Sequence, residues 1–259
     1  MESLLHELVT MSHTLGDPTK EQVILGEGNT SARIDNETFY VKASGYSLPV
    51  IGEEGFVRVN FQAALDLMEQ EGLSDMEVKE ALLAATVDNP KQLWPSVETT
   101  FHALCLTLGE AAFVGHTHPI DVNGLLCSVN AEEAFAMPLF PDQIVVCGPV
   151  PAFVPYVDPG IILANAIREA MMRFGDTYNM PPKVIVLQNH GMIALGKSAQ
   201  EVASITAMFT KTARTLLGAY AAGGPNFMTQ ENVDRIFSRP DEHYRQRVLG
   251  LTVDSPGDA

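Results

Sequence analysis

His116 and His118 stand one residue apart in "GHTHP", directly after the apolar run "EAAFV", in a chain with only seven histidines. In an extended segment the side chains at i and i+2 leave the same face, so this spacing aims two imidazoles at one point. Two such rings would supply two of the ligands a zinc site needs. A catalytic zinc needs three protein ligands at about 2.0–2.1 Å and one open position. The third ligand has to come from elsewhere, and His190 is the candidate, because "VIVLQNHG" delivers it at the end of another apolar strand. Taken alone, the pair is equally compatible with surface placement or with satisfied core histidines. His6, His13, His102 and His243 fall on predicted helices or in the tail and read as structural or solvated.

Glu98 is the next residue with a chemical use. It lies in the first turn of a helix predicted to start at Pro95–Ser96, where the macrodipole alone favours a carboxylate. The functional reading is a general acid/base held near a metal. Ser96 has the same duality, as an N-cap or as part of an anion site with the backbone N–H groups that follow it. "GEGN" (26–29) and "ASG" (43–45) are glycine-marked turns whose backbone N–H groups can approach a ligand closely. Neither matches a Walker loop, and "GEGNTS" lacks the spacing and strand-to-helix setting of a dinucleotide site.

The elements that must position these residues follow from periodicity. Leu4, Leu5, Leu8, Met11 and Leu15 predict an opening helix over 3–15. "GEGNTSARI" and "TFYVKASG" around the turn "DNE" predict a hairpin, and "FVRVN" a strand over 56–60. Helices are expected near 61–71, over 75–87, and from Pro95 to Gly109, the last with Val97, Phe101, Leu104, Cys105 and Leu108 on one face. "AAFVGHTH" reads as a strand followed by a short helix from Pro119, and "QIVVCG" as another strand. A helix over 159–174, two strands around Asn189-His190-Gly191 and a helix over 198–222 complete the order. The polar segment "SRPDEHYRQR" reads as partly helical. Alternating helices and short strands imply one layered α/β domain over 1–223, with 224–259 as an extension packed on it or on a neighbouring subunit.

Composition narrows the class. The chain is 46% hydrophobic and 19% charged, as expected of a soluble globular protein. Sixteen Lys+Arg against 32 Asp+Glu leave a net charge of −16, which disfavours nucleic acid and anionic membrane as partners. An anionic substrate would then need a local site. No basic n-region opens the chain, and its most apolar window, "IVVCGPVPAFVPYV", is broken by three prolines. Cys105, Cys127 and Cys147 are scattered and odd in number, and are expected to be reduced, buried thiols of a cytoplasmic protein.

Taken in order, "GEGNTSARI", "VKASG", "PSVETTFH", "GHTHP" and "LQNHGMIALG" resemble the class II aldolase/adducin family, which contains fuculose-1-phosphate and rhamnulose-1-phosphate aldolases. The resemblance spans roughly residues 5–220 and looks closest to the aldolase module of bifunctional rhamnulose-phosphate aldolase/dehydrogenase proteins, with no dehydrogenase domain read here. It implies a three-layer α/β/α fold around a largely antiparallel sheet, and a homotetramer with sites between subunits. By motif, His116, His118 and His190 match the family's zinc ligands. Glu98 matches the catalytic acid/base, which can also ligate the resting metal. Gly28, Asn29, Ser44, Gly45 and Ser96 match positions that hold the substrate's phosphate or its equivalent.

The implied activity is (retro-)aldol cleavage of a sugar or sugar phosphate. Zn2+, or another divalent ion such as Mn2+ or Co2+, would stabilise an enediolate while Glu98 moves the proton. Two positions depart from the family. Val97 replaces the second serine of Pro-Ser-Ser-Glu, losing a hydroxyl donor worth roughly 1.5–3 kcal/mol to a charged oxygen. Lys42 could compensate, although it reads first as a solvated strand residue. Fuculose-phosphate aldolase carries a tyrosine acid about twenty residues after its histidine pair, and "NAEEAFAMPLFPDQ" has none, so that proton is expected from Tyr220, Tyr244 or water. The rival enzymatic reading uses the same centre for decarboxylation, dehydration or epimerisation. A scaffold like adducin is the rival outside catalysis, and the presence of all three histidines with Glu98 weighs against it.

Overall fold

The apolar runs that end at the histidines become interior strands of one sheet. A computed structural model describes residues 3–240. Its strands are β1 (Asn29–Arg33), β2 (Thr38–Lys42), β3 (Phe56–Asn60), β4 (Thr86–Val87), β5 (Phe113–Thr117), β6 (Ala152–Val154), β7 (Val184–Leu187) and β8 (Gly191–Gly196). They form one sheet in the order β4-β3-β2-β1-β5-β8-β7-β6. All pairings are antiparallel except that of β6 with β7.

The helices are α1 (Leu4–Leu15), α2 (Phe61–Asp66), α3 (Asp75–Ala84), α4 (Thr99–Thr107), α5 (Ile120–Leu126), α6 (Ala131–Ala134), α7 (Pro141–Cys147), α8 (Ile161–Tyr178), α9 (Ala199–Ala221) and α10 (Gln230–Phe237). They make two layers. Phe101 and Leu104 of α4 and Ile167 and Met171 of α8 pack with Val41, Ile185 and Ile193 on one face of the sheet. Leu8 and Met11 of α1 and Phe209 of α9 pack with Ala32, Val184 and Met192 on the other. Successive residues of β7 and β8 enter opposite clusters, and both faces are covered, which is why these strands read as unbroken apolar runs. Burying a side chain such as Phe101 or Phe209, each fully inaccessible, stabilises the fold by roughly 1.5–3 kcal/mol. The fold is therefore a three-layer α/β/α domain around a largely antiparallel sheet, as the motifs imply.

Several elements differ from the sequence reading. "QIVVCG" is not a strand: residues 143–147 lie in α7 (Pro141–Cys147), with Pro141 at its first turn and Gly148 at φ 84° beyond its end. A short apolar run fits a buried helix as well as a strand, and these end signals decide. The helix expected to reach residue 87 stops at Ala84, because Thr86 and Val87 pair with β3. The helix expected from Pro95–Ser96 starts at Thr99, because Pro95 bridges to Ala43 and Ser96 N–H donates to the Lys42 carbonyl at 3.1 Å. Short elements α6 and β6, and α10, were not expected. Cys105 and Cys147 are buried as expected, whereas Cys127 is exposed at the end of α5. Helix α10 packs on α7 with Val233 buried, while Tyr244, His243 and most of "SRPDEHYRQR" lie outside the described residues. Among the described residues no helix is long and apolar enough to cross a membrane.

Candidate metal centre

His116 belongs to the inner strand β5, where it pairs with Asn29 of β1 and Ile193 of β8. His118 follows the end of the strand, its N–H donating to the Gln22 carbonyl at 2.8 Å. His190 sits in the tight turn between β7 and β8. Asn189 takes the left-handed conformation there (φ 56°) and its N–H donates to the Leu126 carbonyl at 3.2 Å. Asn123 of α5 holds the turn by donating to the His190 carbonyl at 3.0 Å. Gly191 makes the approach possible: a Cβ there would stand 2.5 Å from a His118 ring carbon and 2.6 Å from the Thr117 carbonyl oxygen.

The three rings converge. His116 Nε2 lies 3.0 Å from His118 Nε2 and 3.3 Å from His190 Nε2. Tetrahedral coordination with metal–nitrogen bonds of about 2.0–2.1 Å separates the nitrogens by roughly 3.3–3.4 Å; the two separations from His116 are near that, and all three ligand atoms lie within 4.8 Å of one another. The chemistry of the donors agrees. His116 Nδ1 is 3.0 Å from the Met192 carbonyl oxygen, an acceptor only, so Nδ1 carries the proton and Nε2 presents its lone pair inward. Burial holds all three imidazoles below their usual pKa: His116 well below, His118 lower despite Glu27, and His190 down to about 4 through burial and then His118. Neutral imidazole is the form that ligates a metal. Glu27 of "GEGN" faces the outer edge of His118, its carboxylate 3.8 Å from Nδ1.

Glu98 closes the remaining side. Its carboxylate oxygens stand 3.5 Å from His116 Nε2 and 3.3 Å from His190 Nε2. It is the N-cap residue of α4 rather than a first-turn residue. Burial raises its pKa to about 7, against the lowering effects of the Asn29 hydrogen bond and the Lys42 charge. Asn29 Nδ2 donates to Glu98 Oε2 at 2.6 Å and to Ser96 Oγ at 3.2 Å. Ser96 Oγ also accepts from the Glu98 N–H at 3.3 Å.

The expected substrate positions divide. Asn29 and Ser96 are brought to Glu98, and Gly28 (φ 71°) precedes Asn29 with no room for a Cβ against the His116 carbonyl. Ser44 and Gly45 (φ 88°) lie on an exposed loop after β2, where Ser44 Oγ donates to the Pro95 carbonyl at 3.0 Å. Val97 is 49% exposed. Lys42 is a correction. It is buried, not solvated, its Nζ donates to the Tyr46 carbonyl at 2.7 Å, and its charge acts on Glu98. His102 is a second addition, for its ring is buried within the hydrogen bonds of Asn29. Tyr220 is on the last turn of α9.

The family model of the Class II Aldolase and Adducin N-terminal domain matches residues 6–217. Among curated proteins, the chain is 26% identical over 204 residues to "Uncharacterized oxidoreductase YuxG" of Bacillus subtilis (strain 168). That match covers 76% of this chain but only 27% of the relative, so the chain spans about a quarter of that protein's length. Among solved structures, the N-terminal class II aldolase domain of a conserved protein from Thermoplasma acidophilum is 25% identical, with TM-score 0.65, 84% of this chain covered and 95% of the other. An L-fuculose 1-phosphate aldolase is 18% identical, with TM-score 0.68, 95% of this chain covered and 98% of the other, a likeness of fold.

Proposed function

Since the chain belongs to the class II aldolase/adducin family, we propose that it is a metal-dependent lyase that cleaves and forms a C–C bond in a sugar or sugar phosphate. Glu98 carries the reading, because a carboxyl with a pKa of about 7 stands within 3.5 Å of two of the three converging imidazoles. A group poised near neutral pH can both give and take a proton. A divalent cation held by His116, His118 and His190, zinc first and Mn2+ or Co2+ as alternatives, supplies Lewis-acid stabilisation of the negative charge that aldol cleavage leaves on substrate oxygens.

The remaining roles belong to the chain. Glu98 protonates the substrate carbon in cleavage and removes that proton in synthesis. Asn29 and Ser96 orient the carboxyl, and with Gly28 they line the side from which substrate enters. The Ser44–Gly45 loop receives the substrate's anionic or polar end. A net charge of −16 repels an anion in general, so attraction has to be local, and Lys42 brings positive charge to this pocket. The assembly that goes with this reading is a homotetramer with residues 224–259 packed on the domain or on a neighbour, which light scattering of the purified chain measures.

Exposed Val97 and the absence of tyrosine from 130–143 favour one second reading, in which the same centre decarboxylates, dehydrates or epimerises a sugar acid or its phosphate. One screen separates them. Ketose 1-phosphates and 3-oxo sugar acids are offered with added zinc, manganese or cobalt, and products are read as dihydroxyacetone phosphate plus aldehyde, or as CO2. Aldehyde release supports the lyase. Release of CO2, or isomerisation without cleavage, supports the second reading.

A further inference from the structure

A helix turn and a strand step meet beside the metal centre and hold four polar side chains in one line. Asn29 and Ser31 are two apart on β1 and share a face. Glu98 and His102 are four apart at the start of α4 and share a face. Two strand residues advance by about 6.6 Å and four helical residues by about 6 Å, so the pairs stay matched. Ser31 Oγ lies 2.7 Å from His102 Nδ1, His102 Nε2 is hydrogen-bonded to Asn29 Oδ1, and Asn29 Nδ2 reaches Glu98 Oε2 at 2.6 Å. Ser31 and His102 are fully buried, and Asn29 and Glu98 are nearly so.

The direction of this line is set by chemistry. When Glu98 is ionised its carboxylate accepts only, so the Asn29 amide turns Nδ2 toward Glu98 and its carbonyl oxygen toward His102. That oxygen accepts only, so His102 must carry its proton on Nε2. Nδ1 is then a bare acceptor, which the Ser31 hydroxyl fills. A neutral ring is required, and burial holds His102 down to about 3. Without the histidine's donor, the Asn29 oxygen is left unpaired in a buried place, or the amide turns over and points that oxygen at the carboxylate.

We propose that His102 is a positioning residue for the reaction: through Asn29 it fixes which face of the Glu98 carboxyl meets the substrate. The proposal rests on Glu98 being the acid/base. It assigns no contact between His102 and substrate or metal.

The test compares His102→Phe and His102→Gln with the parent and with Glu98→Gln, all as full chains loaded with zinc, on the ketose 1-phosphate turned over fastest in the screen above. Phenylalanine fills the ring's volume beside Phe101 but has no donor, whereas glutamine keeps an N–H donor. His102→Phe should keep one zinc per chain and a KM within about twofold, with kcat down roughly 10- to 100-fold. His102→Gln should recover most of that loss. A zinc-loaded His102→Phe with parental kcat, next to an inactive Glu98→Gln, overturns the proposal and leaves the proposed function standing. An active Glu98→Gln removes the role of Glu98 itself. A second measurement needs no turnover and no variant that folds. The 15N spectrum of the histidine-labelled parent, metal-free and zinc-loaded, should show His102 neutral with its proton on Nε2. A proton on Nδ1 overturns the proposal, because His102 then has nothing to donate to Asn29.

Discussion

Two regions that carry the proposed chemistry are built on different terms. At the histidine end, His116 is fully buried on an inner strand, its tautomer is set by a backbone carbonyl, and Gly191 lets a turn pack directly on the rings. By contrast, Ser44, Gly45 and Val97 are exposed on loops, and their one hydroxyl, that of Ser44, donates to the Pro95 carbonyl. The difference separates two tasks. Groups that must be placed to a few tenths of an ångström are held by the sheet and the core. In the proposed function the groups that choose a substrate are the exposed ones, Val97 among them. Changes at the rigid end should remove chemistry, and changes at the open end should shift preference.

The largest effect tests the rigid end. Chelator treatment, or His118→Ala, should remove the bound divalent metal and lower turnover by roughly a thousandfold, since metal charge stabilisation is worth several kcal/mol. Metal content by mass spectrometry and activity after zinc add-back measure both. Parental turnover without metal would merge the two ends into one binding cleft. Glu98→Gln comes next. It should keep the metal and lose about 10²- to 10³-fold in kcat, within the range of general acid–base catalysis. A variant with near-parental kcat would remove Glu98 from the chemistry.

Gly191→Ala should be intermediate. Its added Cβ meets a His118 ring carbon at 2.5 Å and the Thr117 carbonyl at 2.6 Å, both close to backbone that cannot move freely. Metal affinity, by competition with a chelator, should fall about 10- to 100-fold, as for other losses of ligand support. Unchanged affinity would mean that the turn after His190 is looser than the strands around it.

The rigid end was legible for the same reason that it is rigid. The i, i+2 spacing of His116 and His118 and the apolar runs of β5 and β7 are local patterns, and they led to three rings that do converge. Lys42 was not legible. Alternation cannot show a strand end whose two faces are both covered, so a buried lysine looks like a solvated one. Helix α4 starts three residues after Ser96, because the bridge from Pro95 to Ala43 joins segments about fifty residues apart in sequence. His102 looks like an ordinary helix residue in sequence because its partners, Ser31 and Asn29, are 71 and 73 residues away. Strand and helix were exchanged at 141–147, where an apolar run carries no period and only Pro141 and Gly148 mark the ends.

Acid should expose the rigid end by another route. Histidines 102, 116, 118 and 190 all have folded pKa values below the ordinary 6.5, with His102 at about 3 and His190 at about 4. Below 6.5 the unfolded chain therefore binds more protons, and the stability they contribute is lost as pH falls. Glu98, raised to about 7, acts in the opposite sense between 7 and 4.5. Four groups against one leave a net loss. Chelator-treated protein should melt several degrees lower at pH 5 than at pH 7.5, and an equal or higher Tm would contradict the burial of these rings.

The smallest effect belongs to the open end. Val97→Ser restores a hydroxyl where the family's loop has one, on a residue that is 49% exposed. A donor to a charged oxygen is worth roughly 1.5–3 kcal/mol, and solvent reduces that here, so KM for a ketose 1-phosphate should fall by about tenfold or less. The metal content, and the KM for the same ketose without phosphate, should not change. A lower KM for both would mean that the valine only obstructs the entrance. No change for either would place the anion on Lys42 or indicate a neutral substrate, and the open end would then discriminate by shape rather than by charge.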